Sequence, residues 1–368
     1  QFATAGGLSR ALFRCAAAFI GHLRGGLAMA SVLACAAFGA VCGSSVATAA
    51  TVSQVAMPEM QRFRYDGGLA TATLAAGGTL GILIPPSVVL IVYAIITEQN
   101  IAKLFAAAMI PGLLAALGYL LAIALAMRFF PHWGPVQPRL PWGERLRTLT
   151  AVWPVVAIFL IVFGGIYGGV FTPTEGAAVG CLCTFVAGVV NGGLRGAELR
   201  RCILSTAETT AMIFMIFVGA DLLNAALALT QMPAHFADLV AQLAVPPLAV
   251  VAGILLLYVL LGAVMDELSM VLLTLPVIFP AVMQLDLHGL DATGKAIWFG
   301  ILVLSVVEIG LIAPPVGLNV YVVNGIAKTV PMGVTYRRVF IFLCADAVRI
   351  ALLFMLPVVS LWLVQFAR

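Results

Sequence analysis

The chain is a succession of long apolar runs separated by short polar joints. The first runs fall at about Leu8–Leu23, Gly26–Val41 and Ser45–Met57. Gly67–Ile82 and Val88–Thr97 follow, split by Pro85-Pro86, and a long run covers Ile101–Phe130. The polar, Pro- and Arg-rich segment Pro131–Arg147 predicts a loop. Beyond it lie Val152–Tyr167, Glu175–Val190, Ile203–Leu229, Pro246–Val264 and Leu268–Gln284. Gly294–Ile312 and Val316–Ile326 flank Pro314-Pro315, and Phe340–Val364 closes the chain. Apolar runs of about 18 residues or more are long enough to cross a bilayer as helices. The pattern therefore predicts an all-α polytopic membrane protein.

Two runs, Gly26–Val41 and Ser45–Met57, are short for a span and are joined by Cys42-Gly43-Ser44-Ser45. A loop facing lipid would leave its backbone groups unpaired. A helical hairpin that enters the membrane and turns back inside the protein avoids that cost. Pro246–Val264 and Leu268–Gln284 can form a second such hairpin, turning at Met265-Asp266-Glu267.

Each hairpin precedes one of two similar segments, GTLGILIPPSVVLIVY (Gly78–Tyr93) and EIGLIAPPVGLNVYVV (Glu308–Val323). Each segment has a glycine four residues before Pro-Pro, and Ile-Ala-Lys follows at Ile101–Lys103 and Ile326–Lys328. Paired, Pro- and Gly-interrupted runs in two halves point to a secondary transporter with its site near the bilayer midplane. A proline nitrogen has no N–H, so upstream carbonyls lose their helical partners and can coordinate a cation. The half-helix that restarts after the break turns its positive end toward an anion.

Composition narrows the class further. Hydrophobic residues make up 63%, charged residues only 9%, and the mean hydropathy is +1.13. A soluble chain carries roughly 25% charged residues, so this one could not cover a water-facing surface. The net charge of +4 sits in short basic clusters between apolar runs, as in cytoplasmic loops, and does not suggest nucleic acid. Arg139, Arg145 and Arg147 mark one such loop, and Arg195, Arg200 and Arg201 another. Gln231–Pro247 has neither Lys nor Arg and is expected on the opposite side. The seven cysteines lie mostly inside apolar runs and read as small hydrophobes, and the four histidines are dispersed. No Walker motif and no Ser-His-Asp pattern is visible, so an ATPase or hydrolase is not expected. The chain begins at Gln1 without a signal-peptide pattern, and its first residues look like the middle of a polytopic protein.

Several stretches resemble the large membrane subunit of TRAP (tripartite ATP-independent periplasmic) transporters. These are GSSVATAATVSQVAMPEM (Gly43–Met60), GGTLGILIPPS (Gly77–Ser87), KLFAAAMIPGLL (Lys103–Leu114), YGGVFTPTEGAAVG (Tyr167–Gly180), LGAVMDELSMVLLTLPVIFP (Leu261–Pro280) and EIGLIAPPVGLNVYVV. The resemblance spans nearly the whole chain, in family order. It implies an elevator-type transporter with inverted repeats, two re-entrant helical hairpins and two broken helices. It also implies sodium as the coupling ion, no other cofactor, and import of a small organic acid across the bacterial inner membrane. The implied partners are a small four-helix membrane subunit and a periplasmic substrate-binding protein. A related sodium-coupled organic-anion carrier that needs no binding protein is the alternative.

On this resemblance, residues 1–25 are a scaffold helix whose amino end is expected to be truncated. Residues 26–130 form the first transport repeat, with a hairpin at 26–60 and a broken helix at 67–97. Residues 131–245 are a loop and scaffold helices. Residues 246–326 form the second repeat, with a hairpin at 246–284 and a broken helix at 294–326, and 327–368 is a C-terminal helix. The implied sodium and substrate site takes Gly43, Ser44, Ser45, Gly78, Thr79, Gly81, Pro85 and Pro86 from the first half. The second half supplies Gly262, Asp266, Gly310, Pro314, Pro315 and Gly317.

Four acidic residues carry separate expectations. Asp266 either takes part in sodium binding or gating, or caps the hairpin through backbone N–H groups. Glu267 beside it is expected to face water. Glu308 is expected to be a buried, hydrogen-bonded carboxylate, with a role in the site as the alternative. Glu175, after Thr172-Pro173-Thr174, is expected in a helix-start capping arrangement.

Overall fold

A computed structural model describes residues 1–242 and 245–367, and every regular element among them is helical. The amino-terminal part holds α1 (Phe2–Ala5), α2 (Leu8–Ile20), α3 (Gly26–Cys42) and α4 (Ser45–Arg62). Next come α5 (Gly67–Leu83), α6 (Val88–Ile96) and the 29-residue α7 (Ile101–Phe129). The middle comprises α8 (Trp142–Tyr167), α9 (Pro173–Val190), α10 (Gly196–Leu229) and α11 (Met232–Gln242). The second part runs through α12 (Pro247–Gly262), α13 (Glu267–Gln284), α14 (Ala292–Ile312), α15 (Leu318–Ala327), α16 (Met332–Met355) and α17 (Val358–Leu361). Six described helices are long and apolar enough to cross a membrane, or up to eight if each bent pair counts as one span.

Local chemistry starts many of these helices. Asp66 accepts from Leu69 N at 2.8 Å, Asn100 from Lys103 N at 3.1 Å and Asp291 from Gly294 N at 3.1 Å. Ser87 does the same for α6, at 3.4 Å from Leu90 N. Each oxygen satisfies a backbone N–H that has no partner within its helix. At α9, Thr172 and Glu175 form the full reciprocal capping box.

Packing joins the two similar parts. α3 and α4 lie against α5, α12 lies against α14, and α5 packs on α14. The parts also interlock: α4 meets α15, and α13 meets α6. Between α3 and α5 the backbones approach so closely that a Cβ on Gly39 would stand 2.6 Å from Gly81 Cα. The counterpart lies between α12 and α14, where a Cβ on Gly310 would stand 2.5 Å from the carbonyl carbon of Gly262. Gly81 and Gly310 are the glycines four residues before each Pro-Pro pair, so the shared sequence feature is a shared helix crossing. Large aromatics are buried elsewhere in the core, and their polar tips are satisfied. Tyr93 OH donates to Ala296 O at 2.6 Å, and Trp298 Nε1 donates to Leu353 O at 2.9 Å.

The structure corrects several expectations. Pro131–Arg147 is not wholly a loop: a 3-10 turn covers Pro131–Trp133, and α8 already begins at Trp142. Pro141 enters that helix from an extended conformation, and Glu144 complements its N-terminal dipole. Gln231–Pro247, whose expected side of the membrane is a separate matter, contains α11, which packs on α13; residues 243 and 244 of that segment lie outside the described residues. The last apolar run is not one helix but turns by 84° between α16 and the segment from α17 to Phe366. Pro357, which cannot donate a backbone hydrogen bond, sits at that bend; Arg368 lies outside the described residues.

Candidate functional site

In each half, the turn between paired helices is held against the break of the following helix. Gly43 ends α3 in the left-handed conformation (φ 66°) and donates its N–H to Gly39 O at 2.7 Å. Its carbonyl accepts from Val88 N, two residues past Pro86, at 3.5 Å. In the second half, Ala263 O accepts from Gly317 N, two residues past Pro315, at 3.4 Å. Both Pro-Pro bonds are cis. The two halves thus make the same joint with different residues.

Ser44 and Asp266 occupy equivalent places as N-caps of the second helix of each pair. Ser44 Oγ accepts from Ala47 N at 3.5 Å, and its carbonyl accepts from Thr48 Oγ1 at 2.6 Å. Asp266 Oδ1 accepts from both Leu268 N and Ser269 N at 3.1 Å. The structure therefore places Asp266 in the capping arrangement. Ser45 reaches across to the other half: its hydroxyl donates to Asn319 Oδ1 at 3.0 Å. Asn319 in turn donates to Ala75 O at 3.1 Å, so one buried amide ties α4, α5 and α15 together.

Gly78 packs against α4, where an added Cβ would lie 2.5 Å from Ala49 Cβ. Gly81 faces the turn itself, since its Cβ would lie 2.8 Å from Ser44 O. Pro85, Pro86, Pro314 and Pro315 have no N–H to offer the carbonyls of Gly81, Ile82, Gly310 and Leu311. Each half therefore sets freed carbonyls beside the turn of a paired helix and its capped restart; Ser87 also caps α6 in the first half, whereas Gly317 gives α15 no side-chain cap. Thr79 departs from this cluster: its hydroxyl donates to Ala76 O at 2.7 Å and lies 3.3 Å from Tyr119 OH on α7.

A cavity of about 270 Å³ opens beside the first joint. Gly43, Pro86 and Ser87 line it from the joint, and Phe159, Phe163 and Thr184 from α8 and α9. Its walls are mostly apolar, with the joint supplying backbone polarity.

Sequence reasoning missed two features here. Asn319 stands two residues past Gly317 in an apolar run, and an amide in such a run is itself a signal. Glu267 does not face water: it is buried, and its Oε2 has no hydrogen-bond partner. Helix α13 starts with its first turn packed inward, and that choice is made by tertiary contacts rather than by the local sequence.

The sequence matches, over residues 1–359, the model of the family described as "Tripartite ATP-independent periplasmic transporter, DctM component". It is 37% identical over 362 residues to a C4-dicarboxylate TRAP transporter large permease protein of Pseudomonas aeruginosa, covering 98% of this chain and 82% of that one. A Rhodobacter capsulatus protein of the same name is 34% identical, with 93% and 78% covered. An isethionate TRAP transporter permease protein of Oleidesulfovibrio alaskensis is 32% identical, covering 89% of this chain and 50% of that protein. With six to eight candidate spans, the match identifies an integral membrane protein.

Proposed function

Because the chain belongs to the family of the DctM component, the large permease subunit of TRAP transporters, we propose that it carries a small organic acid inward across a bacterial inner membrane, driven by sodium. The observation that carries this reading is the pair of matched joints, Gly43 O with Val88 N and Ala263 O with Gly317 N. A cation needs several oxygens fixed around one point, and carbonyls released at Pro-Pro beside a capped turn supply them. The carboxylate of the cargo then faces the starts of α6 and α15.

In this reading the helix pairs α3–α4 and α12–α13 are re-entrant hairpins, and the two parts are inverted repeats. Residues 26–130 and 246–326 form the moving unit, and residues 1–25 and 131–245 contribute to the scaffold. The moving unit slides as an elevator, with the site carried inside it. A small four-helix membrane subunit buttresses the scaffold, and a periplasmic binding protein delivers the cargo. C4-dicarboxylates and sulfonates are the first cargoes to try, after the names of the relatives.

The test is uptake by the full-length protein reconstituted with its small subunit and the binding protein encoded beside it. Labelled organic acids are offered with and without an inward sodium gradient. The expected result is accumulation that needs both sodium and the binding protein. Sodium-driven uptake without the binding protein would replace this reading with the binding-protein-independent carrier. Uptake indifferent to sodium would overturn the coupling.

A further inference from the structure

One side chain stitches the two joints to each other. Asn319 is the second residue of α15 and is fully buried, as is Ser45, the first residue of α4. Ser45 OH donates to Asn319 Oδ1 at 3.0 Å, and Asn319 Nδ2 donates to Ala75 O at 3.1 Å. Both ends of the amide are thereby used, and both partners belong to the first half. Ser45 directly follows the cap Ser44, and Ala75 lies on α5 six residues before Gly81. The start of α15, which issues from the second joint, is therefore fixed on the two helices that build the first.

Other polar chains bind the helix bodies and leave the turns alone. Thr79 Oγ1 is 3.3 Å from Tyr119 OH, which donates to Asp346 Oδ2 at 2.8 Å. Arg349 Nη2 stands 2.9 Å from Asp346 Oδ1 and donates to Glu308 Oε2 at 2.6 Å. This chain ties α5 to α14 by way of α7 and α16. At the far end of α15, Thr335 OH donates to Asn324 Oδ1 at 3.0 Å and lies 2.8 Å from Thr71 Oγ1 of α5. Neither chain includes a residue of either turn, whereas Asn319 reaches the helix start at Ser44–Ser45.

The tie is one-sided. Asn319 stands four residues past Pro315, and the residue four past Pro86 is Leu90, which has no polar side-chain atom. Ser45 follows the cap Ser44 as Glu267 follows the cap Asp266, and Glu267 Oε2 is buried without a partner. The equivalent pair, Glu267 and Leu90, cannot make this bond. We propose that Asn319 is a positioning residue that couples the two joints: ordering the turn at Ser44–Ser45 orders the start of α15, and the reverse. It acts through Ser45 and the α15 backbone rather than on a ligand. A ligand that settles at one joint then lowers the cost of ordering the other, and the effect is reciprocal. The coupling needs only these side chains; its use in transport rests on the sodium-driven reading above.

Hydrogen–deuterium exchange of the full-length protein in lipid nanodiscs, without cargo or sodium, tests the coupling. The reporters are Thr48 N–H, bonded to Ser44 O at 3.1 Å, and Tyr321 N–H, bonded to Gly317 O at 3.0 Å. Asn319→Leu keeps the branch at Cγ and removes both polar atoms. The peptide containing Thr48 is expected to exchange about fivefold to tenfold faster, the scale of one lost hydrogen bond. Ser45→Ala is the second variant, and should accelerate the peptide containing Tyr321 to a similar degree. The double variant should be no faster than either single one, as for two residues that share one interaction. The start of α14, where Asp291 caps Gly294 N at the end away from the second joint, should keep its rate in all three. Acceleration confined to the substituted helix overturns the proposal, and so does one that spreads equally to the start of α14. In the uptake assay, saturating cargo should lower the sodium concentration for half-maximal rate, and Asn319→Leu should abolish that shift. A lower maximal rate with the shift intact leaves Asn319 a purely structural residue and also overturns the proposal. Uptake indifferent to sodium, with the exchange pattern as expected, overturns the sodium reading and leaves the coupling standing.

Discussion

α10 and α14 are both long apolar helices, yet they live in opposite surroundings. Of the 21 residues of α14, 17 are buried, including Glu308 and Ser305. Of the 34 residues of α10, only Cys202 and Ala220 are buried. In water such an apolar, exposed helix would be untenable; in a bilayer, lipid or a partner subunit serves as well as protein. Apolarity therefore says that a helix is in the membrane, and not what it touches. What marks the inner helices is small residues at crossings and polar groups with partners, as at Gly310 and Glu308. Glu208 and Asp221, both exposed on α10, are the carboxylates there for which no described contact accounts.

The sharpest way to break this contrast is to remove charge from each place. Arg349→Ala leaves Glu308 and Asp346 without their cation and is expected to cost about 3–5 kcal/mol. Asp221→Asn on α10 is expected to stay within about 0.5 kcal/mol. Thermal unfolding in detergent measures both, and equal losses would show that the inner cluster is not a packed unit.

Steric changes come next. Gly310→Leu drives a side chain into the backbone of Gly262, where nothing can rotate away. A loss of about 1–3 kcal/mol or more, with a fall in monodisperse protein, is expected. Gly219→Leu on α10 meets nothing within 4 Å and is expected to leave the isolated chain unchanged. A defect only when the small subunit is present would identify that face as its seat.

Within the joints the effects are smaller in stability and larger in function. Ser44→Ala and Asp266→Ala each delete a helix cap, worth about 0.5–2 kcal/mol. Each is expected to raise the sodium concentration needed for half-maximal uptake several-fold. Unchanged sodium dependence in both would remove these residues from the site. The smallest effect is expected at the exposed Glu59–Arg62 pair, separated by 3.9 Å. Arg62→Gln should shift stability by less than about 1 kcal/mol.

Local rules account for several helix starts, of which the one at Thr172 is read from the sequence. Helix starts at Asp66, Asn100, Thr172 and Asp291 follow from side chains within three residues of the N–H groups they satisfy. Glu175 sits in the capping box that its neighbours predict, while Glu267, also in a first turn, goes inward. The two differ in what packs above them, and no window of sequence contains that. Glu308 was legible as a buried hydrogen-bonded carboxylate, but its partner Arg349 lies 41 residues away.

By itself the sequence determined the helical, membrane-embedded character, the family, the two Pro-Pro breaks and the places where carbonyls lose their donors. All of these depend on composition or on bonds between near neighbours. Only the tertiary structure decided that Gly39 crosses Gly81 as Gly262 crosses Gly310, that Ser45 finds Asn319 in the other half, and that two carboxylates share one arginine. Those choices depend on which helix faces meet. In a membrane every face is apolar enough to go anywhere, so shape and polar pairing settle the matter.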